Sequence, residues 1–91
     1  MLQTFSIAVS GKVQGVFFRQ STKEKAVKLG ITGEVRNTPD GMVFIKATGS
    51  REQLEQLIQW CRQGPPRAVV KQVEVNELPL QSFGQFRIER S

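Results

Sequence analysis

The sequence contains no histidine and no tyrosine, a single cysteine at position 61 and a single aspartate, Asp40. A structural zinc site therefore cannot be assembled, nor can a Ser-His-Asp or Cys-His nucleophile. Any catalysis must rest on Arg, Lys, Asn, Gln, Ser, Thr, Glu or backbone amides, and neither a metal nor another cofactor is expected. Long apolar stretches are also missing. The longest, Met42 to Ile45, is four residues, far short of the ~20 that a membrane-spanning helix needs, so no membrane partner is expected. The opening Met-Leu-Gln-Thr-Phe-Ser joins no basic segment to an apolar one, and no secretory signal is expected. Cys61 has no internal disulfide partner, which favours a reducing, cytoplasmic setting.

What is present is ordinary for a small globular chain. With 91 residues, 38% of them hydrophobic and 23% charged, the chain reads as one domain over residues 1–91, most simply a monomer. A chain of this size buries roughly 60–70% of its unfolded surface, enough for a single two-layer core. The net charge of +5 and a pI near 10.0 favour an anionic partner, either a phosphorylated small molecule or a nucleic acid.

Thr4 to Ser10 alternates, with Phe5, Ile7 and Val9 on one face, as a strand does. The loop Gly11-Lys12-Val13-Gln14-Gly15 follows. Phe18, Thr22, Ala26 and Leu29 then recur at helical spacing, with Gly30 as the stop. A strand pattern resumes at Ile31 and runs to Asn37-Thr38-Pro39-Asp40-Gly41, a turn cluster leading into a second hairpin arm from Met42 to Thr48. Ser50 with Gln53 forms a capping box, after which Leu54, Leu57, Ile58 and Cys61 line one helical face. Gly64-Pro65-Pro66 ends that helix. Ala68 to Glu77 reads as a strand, and Phe86 to Ile88 as a short last one.

The order βαββαβ plus a terminal strand implies an α+β, ferredoxin-like two-layer sandwich, with two helices on one face of a mostly antiparallel sheet. Right-handed crossovers are expected to set the first and third strands side by side and parallel.

The functional signal lies where the first loop meets the first helix. Gly15 permits a sharp turn and close approach to a ligand, and the amides after it open a helix whose positive end attracts anions. Arg19 can add a planar fork of donors. On spacing alone, the same residues also make a plain strand-to-helix turn with a solvated arginine. Neither a Walker loop nor a dinucleotide fingerprint is present.

Ser10-Gly11-Lys12-Val13-Gln14-Gly15-Val16-Phe17-Phe18-Arg19 and Gly33-Glu34-Val35-Arg36-Asn37-Thr38-Pro39-Asp40-Gly41 together resemble both signature segments of the acylphosphatase family. The resemblance extends along the chain, including the Gly64-Pro65-Pro66 break and Phe86-Arg87-Ile88. It implies a metal-independent hydrolase that cleaves acyl phosphates to a carboxylate and inorganic phosphate. Arg19 becomes the phosphate-binding arginine, Asn37 the residue that orients the attacking water, and Gln14, Gly15, Val16, Phe17 and Phe18 the loop whose amides hold the phosphoryl oxygens. A small-molecule acyl phosphate is then the substrate, and inorganic phosphate both product and competitor. Glu34 stands where such proteins often carry an aromatic residue, which bears on local packing or substrate reach.

Plainer readings accompany these. Asn37 suits a turn on its own account. Trp60 and Cys61 read as core or groove filling, Lys23, Lys25 and Lys28 as a solvated face with weak anion steering, and Arg36 as a residue on the opposite sheet face from Asn37. The runner-up function is a nucleic-acid-binding or phosphate-sensing module on the same fold, without turnover. An RNA recognition motif needs aromatics displayed on central strands, and only Phe5 and Phe44 are available there, so no nucleic-acid partner is expected.

Overall fold

The computed structural model describes residues 1–90; Ser91, the last residue of the expected 1–91 unit, lies outside the described residues. The elements are β1 (Leu2–Lys12), α1 (Phe18–Leu29), β2 (Thr32–Asn37), β3 (Val43–Ser50), α2 (Arg51–Gln63), β4 (Val69–Leu78) and β5 (Phe86–Ile88). The sheet runs β4-β1-β3-β2-β5. All pairs are antiparallel except β2 with β5. This is the expected ferredoxin-like α+β arrangement, with one correction. β1 and β3 are neighbours, but they are antiparallel, Ile7 facing Ile45. The crossover through α1 makes β2 run with β1. The turn after Asn37 then reverses the chain, so β3 enters the gap between them against both.

Helix α1 stops where Gly30 takes a left-handed conformation and bonds back to the Ala26 and Val27 carbonyls. Helix α2 starts on the capping box, the Gln53 amide donating to Ser50 Oγ at 3.2 Å and the Ser50 amide donating to Gln53 Oε1 at 2.8 Å. Both helices cover the face carrying Phe5, Ile7, Val9, Val35 and Ile45, and Phe18, Ala26, Leu54, Leu57 and Cys61 complete that core. Each such large side chain taken from water contributes roughly 1.5–3 kcal/mol before the entropy of ordering is set against it. No described helix is long and apolar enough to cross a membrane.

The other face is open except at one end. Thr4, on the face opposite Phe5, Ile7 and Val9, is fully buried. The chain must travel from β4 at one edge to β5 at the other, and it does so over this face. Thr4 Oγ1 and Thr48 Oγ1 lie 2.6 Å apart, Thr48 donates to the Gln81 carbonyl at 2.7 Å, and the Gln81 amide donates to Thr4 Oγ1 at 2.9 Å. Strand β1 is also longer than its alternation suggested, carried past a bulge at Ser10 and Gly11 against β4.

Candidate active site

Between β1 and α1 the backbone changes hand twice. Gly15 has φ +74°, and Phe17, the residue capping α1, has φ +65° and is the one non-glycine described with positive φ; Val16 between them is negative. Such alternation turns successive N–H groups toward one side and makes a concavity for anions. Gly15 is needed for its conformation, and a Cβ there would meet nothing within 4 Å. No side chain caps the helix, and its first turn holds no acidic residue. The Ser21 amide, bonded to the Phe17 carbonyl at 3.0 Å, opens the helical ladder. The amides before it have no intrahelical acceptor, and they sit at the positive end of the helix.

The loop is held from two sides. Phe18 is buried edge-on against Trp60, ring centroids 5.4 Å apart, and against Gly64. A Cβ at Gly64 would come within 2.6 Å of the Phe18 ring, so only glycine lets the end of α2 approach so closely. On the other side, Gln14 Nε2 donates to the Thr38 carbonyl at 2.8 Å and to the Met42 carbonyl at 2.9 Å. Its side chain ties the Gly15 loop to the turn after Asn37. Thr38 organises that turn: its amide donates to the Met42 carbonyl at 2.9 Å, its carbonyl accepts from Gly41, and its hydroxyl bonds the Asp40 carboxylate. That hydroxyl holds the Asp40 carboxyl below its usual pKa.

These elements enclose a cavity of about 290 Å³ lined by Val13, Gly15, Phe17, Phe18, Arg19, Gln20, Asn37 and Arg90. Two arginines and no carboxylate line it. Asn37 Oδ1 is buried and has no hydrogen-bond partner among the described residues. An unpaired buried acceptor costs roughly 1–3 kcal/mol, so a polar group left in this state is suited to a partner from outside the chain. Rotation about χ2 can present either amide atom to such a partner. No group of three His, Cys, Asp or Glu side chains that could hold a metal occurs among the described residues.

Of the residues singled out in the sequence, Gly15, Phe17, Phe18, Arg19 and Asn37 meet at this cavity. The Gln14 and Val16 side chains do not line it: Gln14 is spent on the two carbonyls, and Val16 lies in the core. Val13, Gln20 and Arg90 were not foreseen. Arg90 arrives because β5 runs parallel to β2 with Val35 facing Ile88, and the Glu89 amide continues the pairing to the Val35 carbonyl at 2.8 Å. Two more residues along, that register sets Arg90 beside Asn37. Glu34 faces Arg87 across the same pair, their charged groups 3.7 Å apart, so it fastens β5 rather than reaching the cavity. Arg36 lies on the open face over the Phe44 ring at 5.3 Å, while Phe5 is buried under α2. The open face thus displays one aromatic on its central strands. A larger hollow of about 770 Å³ lies outside α1, between Lys23, Lys28 and the Trp60 to Pro66 segment. It is an open groove lined by acidic Glu24 as well as lysines, and it lies apart from Gly15, Arg19 and Asn37.

Fold and cavity together define a two-layer sandwich with an arginine-lined cavity at the mouth of its first helix. The family model described as Acylphosphatase matches residues 5–88. An acylphosphatase of Marinobacter nauticus is 53% identical over 87 residues, covering 94% of this chain and 95% of its own. The structure of an acylphosphatase from Coxiella burnetii superposes with a TM-score of 0.94 at 40% identity, over 97% of this chain and 93% of that one. The crystal structure of acylphosphatase from Bacillus subtilis gives 0.94 at 34% identity, over 99% and 100%. The chain belongs to the acylphosphatase family.

Proposed function

We propose that this enzyme hydrolyses acyl phosphates at the cavity between the Gly15 loop and Asn37, without a metal. The observation that carries the assignment of roles is the unpaired, buried Oδ1 of Asn37, a residue that lines the same cavity as Gly15, Phe17, Phe18 and Arg19. In this reading Arg19 and the amides of the Gln14 to Phe18 loop hold the phosphoryl oxygens and neutralise the charge that gathers on them. Asn37 fixes a water in line with the bond to be broken. The water oxygen bonds to phosphorus, and the bond from phosphorus to the acyl oxygen breaks. Its electron pair leaves on the carboxylate, and the water proton passes to a phosphoryl oxygen of the substrate.

The chemistry suits the residues at hand. A carboxylate leaving group with a pKa around 4 departs without being protonated, so no general acid is needed. Phosphoryl transfer of this kind asks mainly for positioning and charge stabilisation, which an arginine, amides and an asparagine can supply. An amide is too weak a base to take the proton itself. Inorganic phosphate shares the recognised group and competes with substrate.

Steady-state hydrolysis of an acyl phosphate by the purified protein tests the proposal. Activity in excess chelator should equal that with added Mg²⁺, and a large loss in chelator would remove the metal-free mechanism. Asn37→Ala should lower kcat roughly 10²–10³-fold, by analogy with losing one preorganised hydrogen-bond group at an active site. Its inhibition constant for inorganic phosphate should hold. A correctly folded variant with near-normal kcat would take the water-orienting role from Asn37.

A further inference from the structure

Successive side chains of β5 point to opposite faces of the sheet. Phe86 and Ile88 face the core, Phe86 buried within it and Ile88 packed against it. Arg87 and Glu89 take the open face, their charged groups 2.8 Å apart, and Glu34 lies 3.7 Å from the same guanidinium. The next residue on the core-facing side is Arg90. The register set by Val35 and Ile88 carries it to Asn37, and it lines the cavity of Arg19 and Asn37. A guanidinium thus follows two apolar side chains on one face of β5, where that face runs out at the mouth of α1. Glu34 and Glu89 are engaged with Arg87 on the opposite face, and no carboxylate side chain lines the cavity.

We propose that Arg90 is a second phosphate-binding arginine, reaching the phosphoryl group from the β5 side as Arg19 does from α1. The proposal rests on the phosphoryl site described above. A singly substituted phosphate carries roughly −1.5 to −2 charge at pH 7. Arg19 offsets one unit of it, and the loop amides contribute only partial charges. The second guanidinium brings the cavity to the full charge of its ligand. Each arginine presents a planar fork that fits a pair of oxygens, so two of them can grip different edges of one tetrahedral group. The cavity holds about 290 Å³, at the small end of the ~300–1,000 Å³ of ligand sites, so both side chains bear on the same anion. Arg19 is half-buried and Arg90 exposed, which makes Arg90 the outer and weaker of the two contacts.

Calorimetry with inorganic phosphate reads the contact. Arg90→Gln removes the charge and should weaken phosphate binding about 5- to 20-fold, the loss of one charge-assisted hydrogen bond at a partly solvated position. KM for acetyl phosphate should rise by a similar factor with kcat within about threefold, because the contact exists before and during transfer. Arg90→Lys keeps the charge and should recover most of the affinity. Lys28→Gln removes the same charge from the outer side of α1 and should leave phosphate affinity within about twofold, since exposed charges at a distance are screened by salt. Arg90 is exposed at the end of the chain, so Tm should hold in every variant. An unchanged phosphate constant in Arg90→Gln would overturn the proposal. An equal loss in Lys28→Gln would do the same, by assigning the effect to the field of the whole protein. A fall in Tm alongside the loss would make Arg90 a brace for β5 and also overturn it. Wild-type protein that binds no phosphate would refute the phosphoryl site itself. Binding that Arg19→Ala weakens and Arg90→Gln leaves intact would refute the second arginine alone.

Discussion

Gln14 is the side chain on which the proposed mechanism depends most without touching the reacting atoms. Replacing it with leucine keeps its volume and removes both donors. The two carbonyls it serves are not orphaned, because Thr38 O still accepts from the Gly41 amide at 3.1 Å and Met42 O from the Thr38 amide at 2.9 Å. The loss is thus two net hydrogen bonds at ~0.5–1.5 kcal/mol each, without a desolvation penalty, which points to a total of about 1–3 kcal/mol. In a domain of this size that lowers Tm by roughly 4–24 °C. The kinetic effect should be larger in proportion. The bonds hold the anion loop at a set distance from the turn after Asn37, and an ångström of misplacement at an active site costs on the order of 10²-fold. We expect kcat to fall about 10- to 100-fold, while affinity for inorganic phosphate, which in the proposed mechanism depends on Arg19 and the loop amides and not on Asn37, changes less. A cycle with Asn37→Ala gives the sharper reading. If Gln14 acts through the placement of Asn37, the double variant should be scarcely slower than Asn37→Ala. Full additivity, or a Gln14→Leu enzyme within twofold of normal kcat, would refute the coupling.

Arg19→Ala should weaken inorganic phosphate binding at least ~30-fold and turnover with it, about 2 kcal/mol at the low end for truncating one partner of a desolvated charge pair. An unchanged phosphate constant by calorimetry would show that the amides bind alone. Burial pushes the Cys61 thiol up to about 12, against an ordinary value near 9.0. The folded state therefore holds its proton more tightly, and the stability this brings is intact below pH ~9 and is lost as pH rises toward 12. Native protein at pH 8 should resist iodoacetamide and be alkylated once unfolded in urea. Rapid modification of the native state, read by mass spectrometry, would contradict that burial.

Local patterns carried most of the fold. The capping box at Ser50, the apolar spacing from Leu54 to Cys61 and the Gly30 stop each concern residues within one or two helical turns, where geometry follows from neighbours in sequence. The first signature segment was legible for the same reason, since a Gly15 loop running into a helix is a local object. What sequence could not show was pairing over long separations. The burial of Thr4 was not legible because the segment that covers it, around Gln81, is distant in sequence. Arg90 went unseen because only the parallel register of β5 on β2 brings it to Asn37. Gln14 was read as a member of the phosphate loop, and its role as a strut depends on carbonyls more than twenty residues away.

The corrected strand direction is also what assembles the site. β1 and β2 are each antiparallel to β3, hence parallel to one another, and β5 is parallel to β2. Three strands that point the same way deliver their C-terminal ends to the same edge of the sheet. From β1 comes the Gly15 loop with Arg19, from β2 comes Asn37, and from β5 comes Arg90. Had β1 and β3 been parallel, with the hairpin still reversing the chain between β2 and β3, β2 would run against β1. Asn37 would then end at the far edge, about the length of a strand from the anion loop. At ~3.3 Å per residue, even six residues put them on the order of 20 Å apart, too far for one to hold a phosphoryl group and the other its attacking water. The right-handed crossover through α1 is therefore a condition of the proposed mechanism as well as of the fold.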